Sequence, residues 1–100
     1  MSLDASVWAW KQAVGKSAAK LVLLSLADRA CADHTAYPSI ASLTADTELD
    51  RKTIISALNH LKELGLIEDT GERRGSSGRV VVYRLVGVVD RAEPAKEQSQ

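Results

Sequence analysis

The sequence predicts a mostly α-helical domain that ends in a small β-hairpin. Three observations carry this. Apolar residues recur at helical spacing in successive segments as far as Leu64. After Gly65 the period changes to that of strands, in "LIEDT" and "RVVVYRLV". Between those runs lies "GERRGSSG", a glycine-rich stretch suited to a hairpin tip. With 100 residues the chain has room for one modest core. Hydrophobic residues at 45% and charged residues at 26% exclude wholesale disorder. Aromatics are only 4% and Phe is absent, so the core must come from Leu, Ile, Val and Ala.

Residues 3–12, "LDASVWAWKQ", read as a short helix with Trp8 and Trp10 packed into the core. Gly15 interrupts, and Ser17 is placed to cap the next helix. That helix, 18–32, is apolar around most of its circumference at Leu21, Val22, Leu24, Leu26 and Ala27, which predicts a central, buried element. Cys31 at its end reads as a small buried hydrophobe, and "DHTA" as a polar connector. Ser39 after Pro38 opens a helix over 39–46, with Ile40 and Leu43 inward. "TEL" makes a turn whose Leu49 plugs into the core. Asp50 caps a longer helix in which Ile54, Ala57, Leu58, Leu61 and Leu64 share one face, and Gly65 ends it. In the second strand Val81, Tyr83 and Leu85 share one face, and Val80, Val82 and Arg84 the other. The domain is thus expected over 1–88, with a polar tail, disordered or a linker, over 89–100.

Two helices joined by a tight turn, the second followed by a hairpin, make a winged helix-turn-helix. The segments "KLVLLSLADRA", "YPSIASL" and "LDRKTIISALNHLKELGLI", with a hairpin ending "VYRL", resemble the winged helix-turn-helix domains of bacteriophages and prophages. Such domains occur in phage replication-initiation proteins and in small phage or plasmid regulators. The likeness spans Val7 to Val86. It implies that the helix starting near Asp50 is a recognition helix for the major groove, and that Leu66 to Leu85 form the wing. Two positions depart from the usual pattern. Thr44 stands where a small Ala is common, and Glu48 where Gly commonly takes a left-handed conformation.

With Ile54 at the centre of the buried face and about 100° per residue, Lys52, Ser56, Asn59 and Glu63 fall outward, flanked by Ile55 and His60. Asn can bond an adenine edge, Lys can reach guanine or phosphate, and an exposed Ile can meet a thymine methyl. Arg51 and Thr53 lie in the first turn, where backbone amides favour phosphate. A merely solvated face carries Glu and Lys in bulk, whereas this one is small, amide-bearing and apolar. The hairpin tip adds Arg73, Arg74 and Arg79, suited to phosphate or a narrow minor groove. The whole chain is formally neutral, yet Arg51 to Arg84 carry a net of +3.

Double-stranded DNA is therefore the expected partner. A homodimer across a palindrome and a replication or transcription protein are further partners of the two family roles. The alternative is a winged helix that docks proteins without binding DNA. No nucleophile elbow, Gly-rich phosphate loop or metal-ligand spacing appears, so no enzyme activity, cofactor or metal is expected; Cys31 and His34 alone are too few for zinc. No apolar run approaches the roughly 20 residues of a membrane span. "MSLDASVWAW" lacks the basic and apolar regions of a signal peptide, which leaves a cytoplasmic location as the expectation.

Overall fold

The computed structural model describes residues 3–75 and 78–88. The tail expected over 89–100 lies outside them. The elements run α1 (Leu3–Lys11), α2 (Ser17–Arg29), β1 (Thr35–Ala36), α3 (Ile40–Thr47), α4 (Arg51–Glu63), β2 (Ile67–Arg74) and β3 (Val80–Leu85). The strands form one antiparallel sheet in the order β1-β3-β2. Four helices with this sheet make the winged helix-turn-helix fold.

Helix α2 is the centre of the molecule, packed against α1, α3, α4 and β1. Its inward residues are Ala19, Val22, Leu23, Leu26 and Ala27. Leu21, expected inward, is exposed, and Leu23 takes its place. Ser17 does not cap this helix. Lys16 occupies the cap position without a side-chain bond, and Ser17 is the first helical residue. The Lys20 ammonium instead closes the end of α1, donating to the carbonyls of Gln12 at 2.6 Å and Trp10 at 2.7 Å. Those carbonyls belong to the helix terminus that lacks internal partners.

In α1 the buried face is Ala5 and Ala9, one turn apart, which lets the helix approach α2 closely. Trp8 lies beside that face and packs half-buried against the core. Trp10, expected in the core, is 66% exposed. It follows Ala9 by a rotation of about 100°, which turns it outward.

The segment read as a polar connector contains β1. Thr35 pairs with Arg84 and Ala36 with Tyr83, so a two-residue strand covers the open edge of β3. Asp33 sets up the approach by accepting from the Thr35 amide and hydroxyl, and His34 adopts φ 66°. Helix α2 ends at Arg29, short of 32, and Cys31 is exposed rather than buried.

The helix-turn-helix is capped as its residues suggest. The Ser39 hydroxyl accepts from the Ser42 amide at 3.0 Å, and Asp50 accepts from the Thr53 amide at 3.3 Å. In the turn, Glu48 is left-handed at φ 61° and ψ 23°, the position where glycine has the advantage. Leu49 beside it packs on the core. Arg29 and Asp46 join α2 to α3 by an ion pair at 2.8 Å, supported by the Ser25 hydroxyl at 2.7 Å.

Helix α4 buries Ile54, Ala57, Leu58 and Leu61. Leu64 does not join them: it is the C-cap and is exposed. Gly65 follows at φ 77°, its amide bonding the Lys62 carbonyl while the Leu66 amide bonds that of Leu61. This pair of bonds is a Schellman motif, and it turns the chain into the sheet.

Strand β2 extends to Arg74, well past the expected end at Thr70. Its pairing with β3 shifts between Asp69 and Arg73, so that Thr70, Gly71 and Glu72 stand opposite Val82 alone. Gly71 at φ 90° makes this bulge possible, and the Thr70 hydroxyl ties it down by donating to the Val82 carbonyl at 2.8 Å. Tyr83 and Leu85 are buried in the core and Val81 packs against it, while Val82, expected on the other face, is buried as well.

Candidate nucleic-acid interface

Along α4, Lys52, Ile55, Ser56, Asn59 and Glu63 are exposed on the side away from Ile54, Ala57, Leu58 and Leu61, and Arg51 is exposed at the edge of the inward face, near Leu58. Ile55 is 41% exposed, a large apolar side chain left in solvent. Thr53 is half-buried in the first turn, where its amide serves the Asp50 cap. His60 does not belong to this surface. Its Nε2 lies 2.9 Å from the Val14 carbonyl, in the loop between α1 and α2, so the ring braces the helix instead of flanking the outer stripe.

Between the start of α3, the start of α4 and β3 lies an open cleft of about 330 Å³. Its bed is apolar, with Ile40, Leu43, Leu58, Val81 and Tyr83, and it is lined by Arg51 from the first turn of α4 and by Arg79 from the loop just before β3. These two arginines differ from the other described ones. Arg29 pairs with Asp46, Arg73 with Asp69, Arg74 with Glu72 and Arg84 with Glu68. Among the described residues Arg51 and Arg79 have no carboxylate partner. Two arginines without a carboxylate partner among the described residues thus line one cleft at the start of α4.

The hairpin arginines are more constrained than a basic loop would suggest. Arg73 donates two bonds to the Asp69 carboxylate, at 3.0 and 3.1 Å, and one to the Glu72 carbonyl at 2.8 Å. That guanidinium, helped by the Gly71 amide, holds the Asp69 carboxyl below the usual carboxylate range. Sequence spacing hides the pair because the bulge between the two residues brings them together. Arg74 lies 4.0 Å from Glu72, with its guanidinium carbon over the Tyr37 ring, 4.9 Å from its centroid. Tyr37, 43% exposed, was not among the residues expected on this surface. Lys62, also outside the expected set, places its ammonium 5.8 Å from the Tyr83 ring.

Among the described residues no group of His, Cys, Asp and Glu could hold a metal ion. No described helix is long and apolar enough to cross a membrane. No curated protein and no solved structure matches the chain. The sequence model of one family, described as a helix-turn-helix domain, matches residues 16–67, which span α2, β1, α3, α4 and the first residue of β2. More than half of the chain, including the whole helix pair and the exposed face of α4, follows that pattern, and the protein belongs to the helix-turn-helix domain family.

Proposed function

We propose that this chain binds double-stranded DNA sequence-specifically, as a phage or mobile-element protein of replication initiation or transcription regulation, and that binding is its whole activity. One observation supports the reading: the outward face of α4 presents Lys52, Ile55, Ser56 and Asn59, and it adjoins a cleft lined by Arg51 and Arg79, which have no carboxylate partner among the described residues. Lys52, Ser56 and Asn59 read base edges, with Ile55 against a thymine methyl. Arg51 and Arg79 hold the phosphate backbone that borders the groove, with Arg74 of the wing in support. The helix-turn-helix family supports DNA as the partner. The phage reading rests on the likeness of "YPSIASL" and "LDRKTIISALNHLKELGLI" to phage domains. A cytoplasmic location accompanies it.

Selection from a randomised duplex pool identifies the preferred site, and titration then compares Asn59→Ala with the wild type. The variant should lose about 1–3 kcal/mol on the selected duplex and almost nothing on a scrambled one, since an amide–base bond exists only on the right sequence. Equal losses on both duplexes would remove α4 from base reading. Failure to enrich any duplex would favour the protein-docking alternative.

A further inference from the structure

Tyr37 is 43% exposed, yet its backbone is tightly held. Ala36 before it is buried and paired with Tyr83, and Pro38 after it is buried. The ring is therefore carried on an anchored stretch of backbone between β1 and α3. Arg74 at the end of β2, opposite Val80, lies over that ring with 4.9 Å between guanidinium carbon and centroid. Its contact with Glu72, at 4.0 Å, is long, and its backbone is paired with Val80 beyond the bulge, as the last residue of β2 before the hairpin tip. The Tyr37 hydroxyl has no hydrogen-bond partner among the described residues, so the ring face is what the contact uses. A stacked guanidinium spends its face on the aromatic ring and keeps its in-plane N–H donors for an oxyanion.

We propose that Tyr37 is a positioning residue for the wing: it holds Arg74 flat against the β1–α3 connector, so that the guanidinium meets a DNA phosphate already oriented. The inference rests on the DNA-binding reading above. Its benefit is the side-chain ordering that Arg74 no longer undergoes on binding. The effect should match an exposed cation–π contact, about 2- to 5-fold in affinity.

The test measures affinity for a random-sequence duplex at fixed salt, using wild type, Tyr37→Leu, Tyr37→Phe, Arg74→Ala and the Tyr37→Leu/Arg74→Ala double variant. Tyr37→Leu should weaken binding about 2- to 5-fold and Tyr37→Phe should restore it, because only the ring face is needed. The double variant should bind no more weakly than Arg74→Ala alone. Independently of DNA, the Arg74 side-chain proton resonances of the free protein should carry a ring-current shift that disappears in Tyr37→Leu and survives in Tyr37→Phe. Full additivity of the two substitutions, or wild-type affinity in Tyr37→Leu, overturns the proposal. So do unchanged Arg74 resonances in that variant. If the wild type binds no duplex, the DNA reading fails, and the resonance measurement still decides whether Tyr37 holds Arg74.

Discussion

Helix α4 and the β2–β3 hairpin both supply positive charge, and they present it differently. On α4, Arg51 stands with no carboxylate partner among the described residues. On the hairpin, Arg73, Arg74 and Arg84 each have a carboxylate within reach on β2 itself, and Arg79 beyond the tip has none among the described residues. The helix leaves the Arg51 charge without a carboxylate among the described residues, while the hairpin sets most of its arginines beside its own carboxylates. A count of arginines therefore overstates the positive charge that the hairpin leaves uncompensated.

The largest effect should come from the inner face of α4, which every part of that comparison depends on. Leu58 is 3% exposed, lies in the core and lines the cleft. Leu58→Ala should cost about 2–5 kcal/mol in urea unfolding and lose DNA binding through unfolding alone. A variant that stays fully folded by circular dichroism but no longer binds would show that the inner and outer faces have been exchanged.

The comparison itself is tested by salt. Arg51→Ala with Arg79→Ala should make the slope of log affinity against log salt shallower by about two, one unit per phosphate contact. Arg73→Ala with Asp69→Ala removes a pair that is already neutral and should leave that slope close to wild type. If the second variant flattens the slope as much as the first, Arg73 leaves Asp69 for phosphate in the complex, and the hairpin is not self-neutralised when it matters.

The turn between α3 and α4 gives a smaller effect. Glu48→Gly removes the steric cost of a left-handed side-chain-bearing residue and adds chain entropy to the unfolded state. The net should be about 0.5–1 kcal/mol of added stability, read as a raised midpoint in urea. A lowered midpoint would mean that the Glu48 side chain contributes more than its backbone costs.

Acid should produce the smallest change near neutrality. The Asp46 carboxyl lies below its ordinary value of 3.8, chiefly because Arg29 donates to it. Asp50 is lowered by its bond with Thr53, and Asp69 by Arg73. Groups with lowered folded values contribute stability that is complete above their ordinary value and fades as the pH falls through the folded one. The thermal midpoint should therefore hold from pH 7 to about 5 and decline below about 4. Asp46→Asn should lose part of that decline together with some stability at pH 7. A midpoint that keeps falling steadily between pH 7 and 5 would point to a histidine instead.

The amino-acid sequence by itself determined the features that depend on neighbours along the chain. Helix periodicity placed Ile54, Ala57, Leu58 and Leu61 inward and Lys52, Ser56 and Asn59 outward, because each residue turns a helix by a constant angle. Caps at Ser39 and Asp50 and the exit at Gly65 were legible for the same reason, since their bonds span three to five residues. Tertiary structure decided what depends on distant partners. A two-residue strand at Thr35–Ala36 has no alternation to read and exists only because β3 offers an open edge. His60 went to the Val14 carbonyl, 46 positions away in sequence, and Arg74 to Tyr37, neither of which any local pattern encodes. The Asp69–Arg73 pair depends on a bulge whose register is set across the sheet, so the charge left free for a partner was settled by folding and not by composition.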